Sequence, residues 1–340
     1  MMNPLDQKPK LNMYPIIAVL SVPISKAKRS TTYASYIPNS YMKWIEMSGA
    51  RTAHIIFTWD PEHINEVLSQ VNGVLFPGGG IDRTSNEDFR KYINAYKQII
   101  NYAKKQTDSG NHFPLWSTCL GFEFMMMMEG HTEDEVHDYY VKSFGIESVD
   151  ARSYSVPLDF MYSEEKDGEE KFMKNLISPL FSEMSLDDIT KYQDNNVFYM
   201  NHGYGFPLTP ELLLWYERFI HILAKNKDKQ GLEYVSAIKY KKYPFYGVQF
   251  HPEKPNFEWL DETIPHSELA IKASTQLSNF FINEARKNHN QMIDERIQSY
   301  FYPLHSRDEV LDIIEPHHQK NKEFKSVFER SYFFTPDHRI

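Results

Sequence analysis

Short apolar runs alternate with amphipathic segments through the first 128 residues, and this alternation limits the possible folds more than any other feature of the chain. IIAVLSV (16–22), TAHIIFTW (52–59) and GVLFPGG (73–79) have the length and residue types of buried strands. Segments with apolar residues at helical spacing lie between them. This βαβαβ order predicts an α/β fold with a mostly parallel central sheet and helices on both faces.

Further elements follow the same logic. Ile37, Tyr41, Trp44 and Ile45 fall at helical spacing, and Gly49 is placed to end that helix. Other helices are predicted at PEHINEVLSQV (61–71), EDFRKYINAYKQIINYAKKQ (87–106) and HSELAIKASTQLSNFFINEARKN (266–288). The spacing therefore accounts for a helix between each pair of early strands.

The remaining chain divides less evenly. FPLWSTCLGFEFMMMM (113–128) predicts a strand, a turn and a helix, and YVSAIKYKKYPFYGVQFHP (234–252) predicts a hairpin of two apolar strands. Charged and apolar patches alternate over 129–200, where we expect little regular structure. We expect a loose N-terminus over 1–12, one domain over 13–300, and a C-terminal extension over 301–340 that packs on it.

Composition argues against several functions. The formal net charge is −9 with both signs mixed, so no basic stripe favours nucleic acid. One cysteine cannot form an internal disulfide. The apolar run at 14–24 is too short to span a bilayer and lacks a signal-peptide cleavage pattern, so no membrane association is expected and the compartment stays open.

The lone cysteine, Cys119, lies where a predicted strand turns into a helix. Ser117 and Gly121 on either side are small, as a tight strand-to-helix turn requires. Backbone N–H groups and the helix dipole at such a turn would stabilise an exposed thiolate, which makes Cys119 a candidate nucleophile. The alternative is that Cys119 is a small buried apolar side chain.

Two other motifs supply what a nucleophile needs. In YGVQFHPEK (246–254) a predicted strand is followed by His251, and Glu253 two residues later can orient its imidazole. In GVLFPGGG (73–80) a strand runs into three glycines whose N–H groups can stabilise an oxyanion. All three motifs follow predicted strands, at the edge where parallel sheets collect their active sites.

These residues resemble the gamma-glutamyl hydrolases of the class I glutamine amidotransferase-like superfamily. The resemblance runs in family order from about residue 14 to residue 288, through the segments YPIIAVLSVP, YIPNSYMKWIEMSGAR, VNGVLFPGGG, FPLWSTCLGFE, YPFYGVQFHPEKPNFEW and NFFINEARKN. It implies a flavodoxin-like three-layer sandwich and a thiol hydrolase acting on folylpoly-γ-glutamates, without metal or organic cofactor.

The resemblance also implies roles for individual residues. Cys119 attacks the γ-glutamyl carbonyl, His251 moves the proton and Glu253 supports the histidine, while the N–H groups of Gly79 and Leu120 receive the oxyanion. The residues expected to contact the substrate, or to support the glycine loop beside it, are His202, Glu123, Gly78 and Gly80. Lys254 and Arg83 are candidate cations for binding the acidic poly-γ-glutamate tail of the substrate, although lysine and arginine are exposed by default.

The resemblance has limits. Ser117 stands where the family usually has glycine, and 129–170 is longer and more acidic than expected. Family members commonly act in lysosomes, vacuoles or outside the cell, but no leader is visible here, and a homodimer is a further open expectation. Met125–Met128 is interpreted as core, and His317 and His318 as solvated residues.

Two alternatives stay open: a glutaminase or γ-glutamyl-amine hydrolase with the same triad, and a catalytically silent scaffold of the same fold. The first differs in its leaving group, so hydrolysis of glutamine in preference to a folate chain would favour it. The second would be free to lose Cys119, His251 and Glu253, which are all present.

Overall fold

The computed structural model describes residues 10–24, 33–81, 86–128, 145–161, 179–298, 304–305 and 330–335. The strands in these ranges are β1 (Ile16–Leu20), β2 (Val22–Pro23), β3 (Ser35–Pro38), β4 (Arg51–Ile55), β5 (Gly73–Phe76), β6 (Leu115–Thr118), β7 (Glu147–Val156), β8 (Asp159–Phe160), β9 (Phe198–Gly205), β10 (Ile220–Lys227), β11 (Glu233–Tyr240), β12 (Phe245–Val248), β13 (Leu304–His305) and β14 (Ser331–Phe334).

The α-helices are α1 (Asn39–Glu46), α2 (Pro61–Leu68), α3 (Asn86–Asp108), α4 (Leu120–Met127), α5 (Leu186–Asp194), α6 (Pro210–Tyr216), α7 (Lys254–Phe257) and α8 (Glu268–Ala285). Short 3-10 turns lie at Pro179–Phe181 and Glu295–Ile297. None of the helices in the described ranges combines the length and apolar character needed to cross a membrane.

The central sheet has the strand order β4-β1-β5-β6-β12-β11-β10-β8. The pairings from β4 through β12 are parallel, and those of β12 with β11, β11 with β10 and β10 with β8 are antiparallel. The predicted α/β class with a mostly parallel sheet is therefore confirmed, as is the hairpin of β11 and β12.

Helices cover both faces of this sheet. Trp116 of β6 contacts Trp44 of α1 and Phe281 of α8, with ring centroids 5.1 and 5.7 Å apart. On the opposite face, Phe76 of β5 stacks on Tyr96 of α3 at 3.7 Å. Side chains alternate along a strand, so neighbouring residues of one strand reach both helix layers. This is why the parallel strands are buried at almost every position.

The sequence prediction was wrong in two places. Ile37, assigned to a helix, lies in β3, and α1 begins only after Pro38, whose extended backbone ends the strand. Residues 145–161 and 179–205 are also more regular than expected, because β7 and β9 pair as an antiparallel ribbon. Their partners are about fifty residues apart in the chain, a separation that local patterns do not reveal.

The C-terminal part of the chain joins a second sheet of order β13-β14-β3-β2. Within it, Phe333 pairs with Tyr36 and Ser331 pairs with Pro38. Both Phe333 and Phe334 are buried. The described end of the chain therefore supports β3, the strand that leads directly into α1.

The serine that departs from the family pattern has a matching glycine opposite it. Ser117 of β6 pairs with Gly247 of β12, and a Cβ atom added to Gly247 would lie 2.6 Å from Ser117 Oγ. The Ser117 hydroxyl is buried and donates to the Tyr246 carbonyl oxygen at 3.3 Å. The extra hydroxymethyl group thus occupies space that the missing side chain at 247 leaves.

Gly247→Ala is expected to destabilise the fold by about 1–3 kcal/mol, because the new methyl group overpacks a closed interface. The double variant Ser117→Gly/Gly247→Ala is expected to recover much of the lost stability. Recovery stays incomplete because Phe122 Cδ2 would still lie 2.8 Å from the added atom. Urea unfolding of the single and double variants measures both effects. Purely additive losses would contradict this packing.

Candidate active site

Three neighbouring strands of the central sheet end at one place. In the register of β5, β6 and β12, Ser117 lies between Phe76 and Gly247. The glycine loop, residues 78–80, follows β5, Cys119 follows β6, and His251 follows β12. The predicted common placement of the three motifs at the carboxyl edge of the sheet is what the structure has.

Cys119 occupies a strained turn between β6 and α4. Its backbone has φ 50° and ψ −109°, a conformation that L residues rarely adopt, and its N–H donates to the Val248 carbonyl oxygen at 3.0 Å. A Cβ added to Gly121 would lie 2.8 Å from the Phe76 carbonyl carbon, so only glycine lets α4 approach β5. The sulfur lies 4.0 Å from the Asn201 carbonyl oxygen, and the Cβ atom that carries it faces Gly78 of the glycine loop.

His251 is buried and held by two oxygen atoms. Its Nδ1 lies 2.7 Å from Glu253 Oε1 and 3.3 Å from the Tyr41 hydroxyl. Glu253 is fully buried. Its carboxylate accepts a hydrogen bond from the Nδ1–H group, which leaves the lone pair on Nε2. Within the described ranges, Nε2 has no hydrogen-bond partner. The imidazole therefore has the tautomer of a general base.

Cys119 and His251 are neighbours across Gly78. A Cβ atom added to Gly78 would lie 3.1 Å from Cys119 Cβ and 2.8 Å from His251 Cε1. The distance between Cys119 Cβ and His251 Cε1 is thus no greater than the sum of these two distances. A side chain at position 78 would fill the space between nucleophile and base, which explains the glycine.

The structure reverses the expectation of an exposed thiolate. Cys119 is only 5% exposed. Burial raises the pKa of its thiol well above the ordinary value, and the carboxylates of Glu123 and Glu253 raise it further. The Leu120 N–H group and the Lys254 ammonium lower that pKa, but by less. Cys119 is therefore a neutral thiol at rest and needs a base when it reacts.

Two tyrosines determine which glycine amides are available. The Gly78 N–H donates to the Tyr41 hydroxyl at 2.8 Å, and the Gly80 N–H donates to the Tyr36 hydroxyl. The amide of Gly79 makes no hydrogen bond to any residue that the structure describes. Of the three glycines, Gly79 thus offers its N–H to a ligand, whereas Gly78 and Gly80 hold the loop in place.

His202, on β9, is buried beside the site. Its Nδ1 donates to the Tyr204 carbonyl oxygen at 2.7 Å, and its Nε2 has no partner in the described part of the chain. Burial lowers the pKa of His202 to about 3, and the nearby charges of His251 and Arg152 act in the same direction. His202 therefore stays neutral and presents an acceptor nitrogen.

Glu123 and Lys254 lie deeper than the sequence suggested. Glu123 is buried on α4, accepts from the Gln249 side-chain amide at 3.5 Å, and is close enough to Cys119 for its carboxylate to raise the pKa of the thiol. Lys254 is also buried, with its ammonium 5.8 Å from the ring centre of Tyr199. Arg83 lies outside the described residues. Neither Glu123 nor Lys254 is an exposed contact for a substrate.

Sequence reasoning missed the two tyrosines. Tyr41 was assigned to an apolar helical stripe, and no pattern marks its hydroxyl as a partner of Gly78 and His251. A phenol is apolar along its ring and polar at its tip, so periodicity records only the ring. Burial raises the pKa of Tyr41 well above its usual value, with Glu253 adding to the effect. Its hydroxyl is therefore neutral and able to donate.

The remaining residues singled out in the sequence lie away from the site or outside the described ranges. Met125–Met128 are buried in the core, as expected. His317 and His318 lie outside the described residues. In the parts of the chain that the structure describes, no three histidine, cysteine, aspartate or glutamate side chains come together as a metal site.

Comparison with known proteins gives a consistent family. Residues 15–158 match the Peptidase C26 family. Gamma-glutamyl hydrolase B of Dictyostelium discoideum is 32% identical over 289 residues, which cover 84% of this chain and 76% of the relative. Gamma-glutamyl hydrolase of Homo sapiens is 28% identical over 284 residues, covering 83% and 80%.

A solved structure from Thermoplasma acidophilum, described as that of a GMP synthase component, aligns with the chain as well. The sequence identity is 14%, the TM-score is 0.45, and the alignment covers 80% of this chain and 94% of that one. A likeness this distant carries no information about function.

Glu123→Gln is expected to speed the alkylation of Cys119 by iodoacetamide at pH 7 about 3- to 10-fold. Removing the carboxylate lowers the thiol pKa, and one unit of pKa is a tenfold change in thiolate. Because the chain has one cysteine, mass spectrometry of the intact protein measures the rate directly. Glu211→Gln, an exposed glutamate on α6, is the matched control. Equal rates in both variants would count against the role of Glu123.

Proposed function

The chain belongs to the gamma-glutamyl hydrolase family, and we propose that it is a thiol hydrolase that cleaves γ-glutamyl amide bonds in folylpoly-γ-glutamates. The observation that carries the proposal is the meeting of Cys119 and a Glu253-oriented His251 on either side of Gly78. A slow amide hydrolysis needs a strong nucleophile, a base and a charge acceptor, and this edge of the sheet supplies all three.

The reaction begins with a neutral thiol. His251 Nε2 takes the proton from Cys119 Sγ as the sulfur attacks the carbonyl carbon of the γ-glutamyl bond. The imidazolium is then stabilised by Glu253, whose carboxylate already accepts from Nδ1 at 2.7 Å. Because the raised thiol pKa disfavours a free thiolate, proton transfer accompanies the attack.

The tetrahedral intermediate places a negative charge on the former carbonyl oxygen. The N–H groups of Gly79 and Leu120 are the donors we assign to it. In the described part of the chain neither donates to a backbone carbonyl oxygen, and the Leu120 N–H already faces the Cys119 sulfur. As the intermediate collapses, the C–N bond breaks and the imidazolium returns its proton to the departing amine. A thioester on Cys119 remains.

Water completes the cycle. His251 Nε2 deprotonates a water molecule that attacks the thioester carbonyl, and the same two N–H groups receive the oxyanion again. The C–S bond then breaks, and the sulfur recovers the proton from the imidazolium. The neutral acceptor nitrogen of His202 is suited to position an N–H or ammonium group of the substrate.

The folate polyglutamate substrate, a lysosomal, vacuolar or extracellular location, and a homodimer are finer parts of the proposal that rest on family resemblance. Imaging of the tagged protein with compartment markers tests the location. Light scattering of the purified protein tests the homodimer, and a monomeric mass across micromolar concentrations would exclude it.

The main test compares substrates on the purified protein. We expect folate pentaglutamate to be shortened with release of glutamate or short γ-glutamyl chains, as measured by chromatography of product lengths. Glutamine and γ-glutamyl-amines are expected to turn over far more slowly. Fast glutamine hydrolysis with an intact folate chain would replace this proposal with a glutaminase, and inactivity on every substrate would favour the silent scaffold.

Cys119→Ala is the matched inactive control for that assay. It is expected to abolish turnover of the folate chain because it removes the attacking atom, while the melting temperature stays within a few degrees of wild type. Wild-type rates in this variant would refute the thiol mechanism.

His251→Asn is expected to reduce kcat by several orders of magnitude, because neither proton transfer then has a base. Glu253→Ala is expected to cost less, since the imidazole keeps the Tyr41 hydroxyl as a second partner at 3.3 Å. Steady-state kinetics on the pentaglutamate measure both losses. A larger loss for Glu253→Ala than for His251→Asn would be incompatible with these roles.

A further inference from the structure

One edge of strand β9 borders the reacting groups. The Tyr199 carbonyl oxygen accepts the His251 N–H at 3.0 Å, and the Asn201 carbonyl oxygen lies 4.0 Å from Cys119 Sγ. Carbonyl groups two residues apart point to the same edge of an extended strand. Gly203 is the next residue in this series, about 7 Å further along the strand.

A guanidinium group covers Gly203. A Cβ atom added to Gly203 would lie 2.9 Å from Arg152 Cζ and 3.1 Å from Arg152 Nε, so this side chain packs directly on the glycine backbone. Any larger residue at position 203 would displace the guanidinium. Gly203 therefore leaves free the space that the Arg152 guanidinium occupies.

A β-bulge turns Arg152 toward solvent. The register of β7 and β9 shifts on both sides of the Ala151–His202 pair, and Ser153 has a φ of 49°. Ala151 and His202 point inward and are buried, whereas Arg152, the next residue, is exposed. The guanidinium thus lies on the open side of the ribbon, close enough to His202 to lower the pKa of its imidazole.

The acidic residues described near Arg152 have other partners. Of the neighbouring acids, Asp150 lies 3.9 Å from the Lys229 ammonium, and Asp228 accepts backbone N–H groups. Within the described residues Arg152 makes no ion pair, and its side chain donates no hydrogen bond. The exposed guanidinium lies on Gly203, two residues along β9 from the Asn201 carbonyl group that contacts Cys119, and it is placed to bind an anion from the substrate.

We propose that Arg152 is a specificity-determining residue that binds an α-carboxylate of the γ-glutamyl chain. The inference rests on the proposed function. Each γ-linked glutamate keeps a free α-carboxylate, separated from its δ-carbonyl by only three carbon atoms. When the δ-carbonyl of the substrate lies over Cys119, the α-carboxylate of the same glutamate can therefore reach the next residues along β9. The planar guanidinium fits that group bidentately, which an uncharged amide cannot reproduce.

The test uses two substrates that differ in this group alone: a γ-glutamyl-glutamate fluorogenic peptide with free α-carboxylates, and its analogue with α-carboxamides. Arg152→Gln is expected to lower kcat/KM for the carboxylate peptide about 10- to 100-fold and to change the carboxamide peptide by less than about 3-fold. Arg152→Lys is expected to be intermediate, because an ammonium keeps the charge but not the fork.

Gly203→Ala provides an independent variant, because its methyl group displaces the guanidinium without removing it. It is expected to reproduce the loss on the carboxylate peptide, and Arg152→Gln/Gly203→Ala is expected to lose little more than either single variant. Lys227→Gln is the charge control, since Lys227 of β10 pairs with Glu233 of β11 at 3.5 Å.

Equal losses on both peptides in Arg152→Gln, or a wild-type enzyme that does not prefer the carboxylate peptide, would overturn the inference. A loss of the same size in Lys227→Gln would do so too, because it would indicate only a general effect of charge. A wild-type protein that cleaves neither peptide would instead contradict the proposed function, so the two failures are distinct.

Discussion

The parallel hydrogen-bond pairing of β6 with β5 on one side and β12 on the other is the constraint on which the site depends. It fixes Ser117 between Phe76 and Gly247, and so brings the glycine loop, the nucleophile and the base to one edge of the sheet. A shift of one residue in either pairing would turn the side chains that follow to the opposite face. The buried strands, with helices on both faces, hold that register because each side chain has one core to enter.

Close packing around this edge leaves room for few side chains. Glycines at 78, 121 and 203 each leave room for another group: the nucleophile and base, the backbone of Phe76 in β5, and the guanidinium of Arg152. The same closeness buries Cys119 beside carboxylates and keeps its thiol protonated. The nucleophile is therefore activated by the neighbouring imidazole at the moment of reaction, and not by a permanently low pKa.

Much of the fold followed from pattern. The βαβαβ order, the hairpin of β11 and β12, and the helices at 87–106 and 266–288 were visible because each carries a strong local period. The β7–β9 ribbon was not, since its bulged register joins distant segments of mixed polarity. Tyr41, Tyr36 and Arg152 were missed for a related reason: each acquires its role from a backbone group of another segment.

The sequence by itself determined the fold class and the three motifs that follow strands, because strand period, glycine content and the order of elements are written locally in the chain. Tertiary structure alone decided the protonation state of Cys119, the amides that are free to receive an oxyanion, and the depth of Glu123 and Lys254. Those properties depend on burial and on charges brought together from distant segments, and neither is encoded by spacing along one strand or helix.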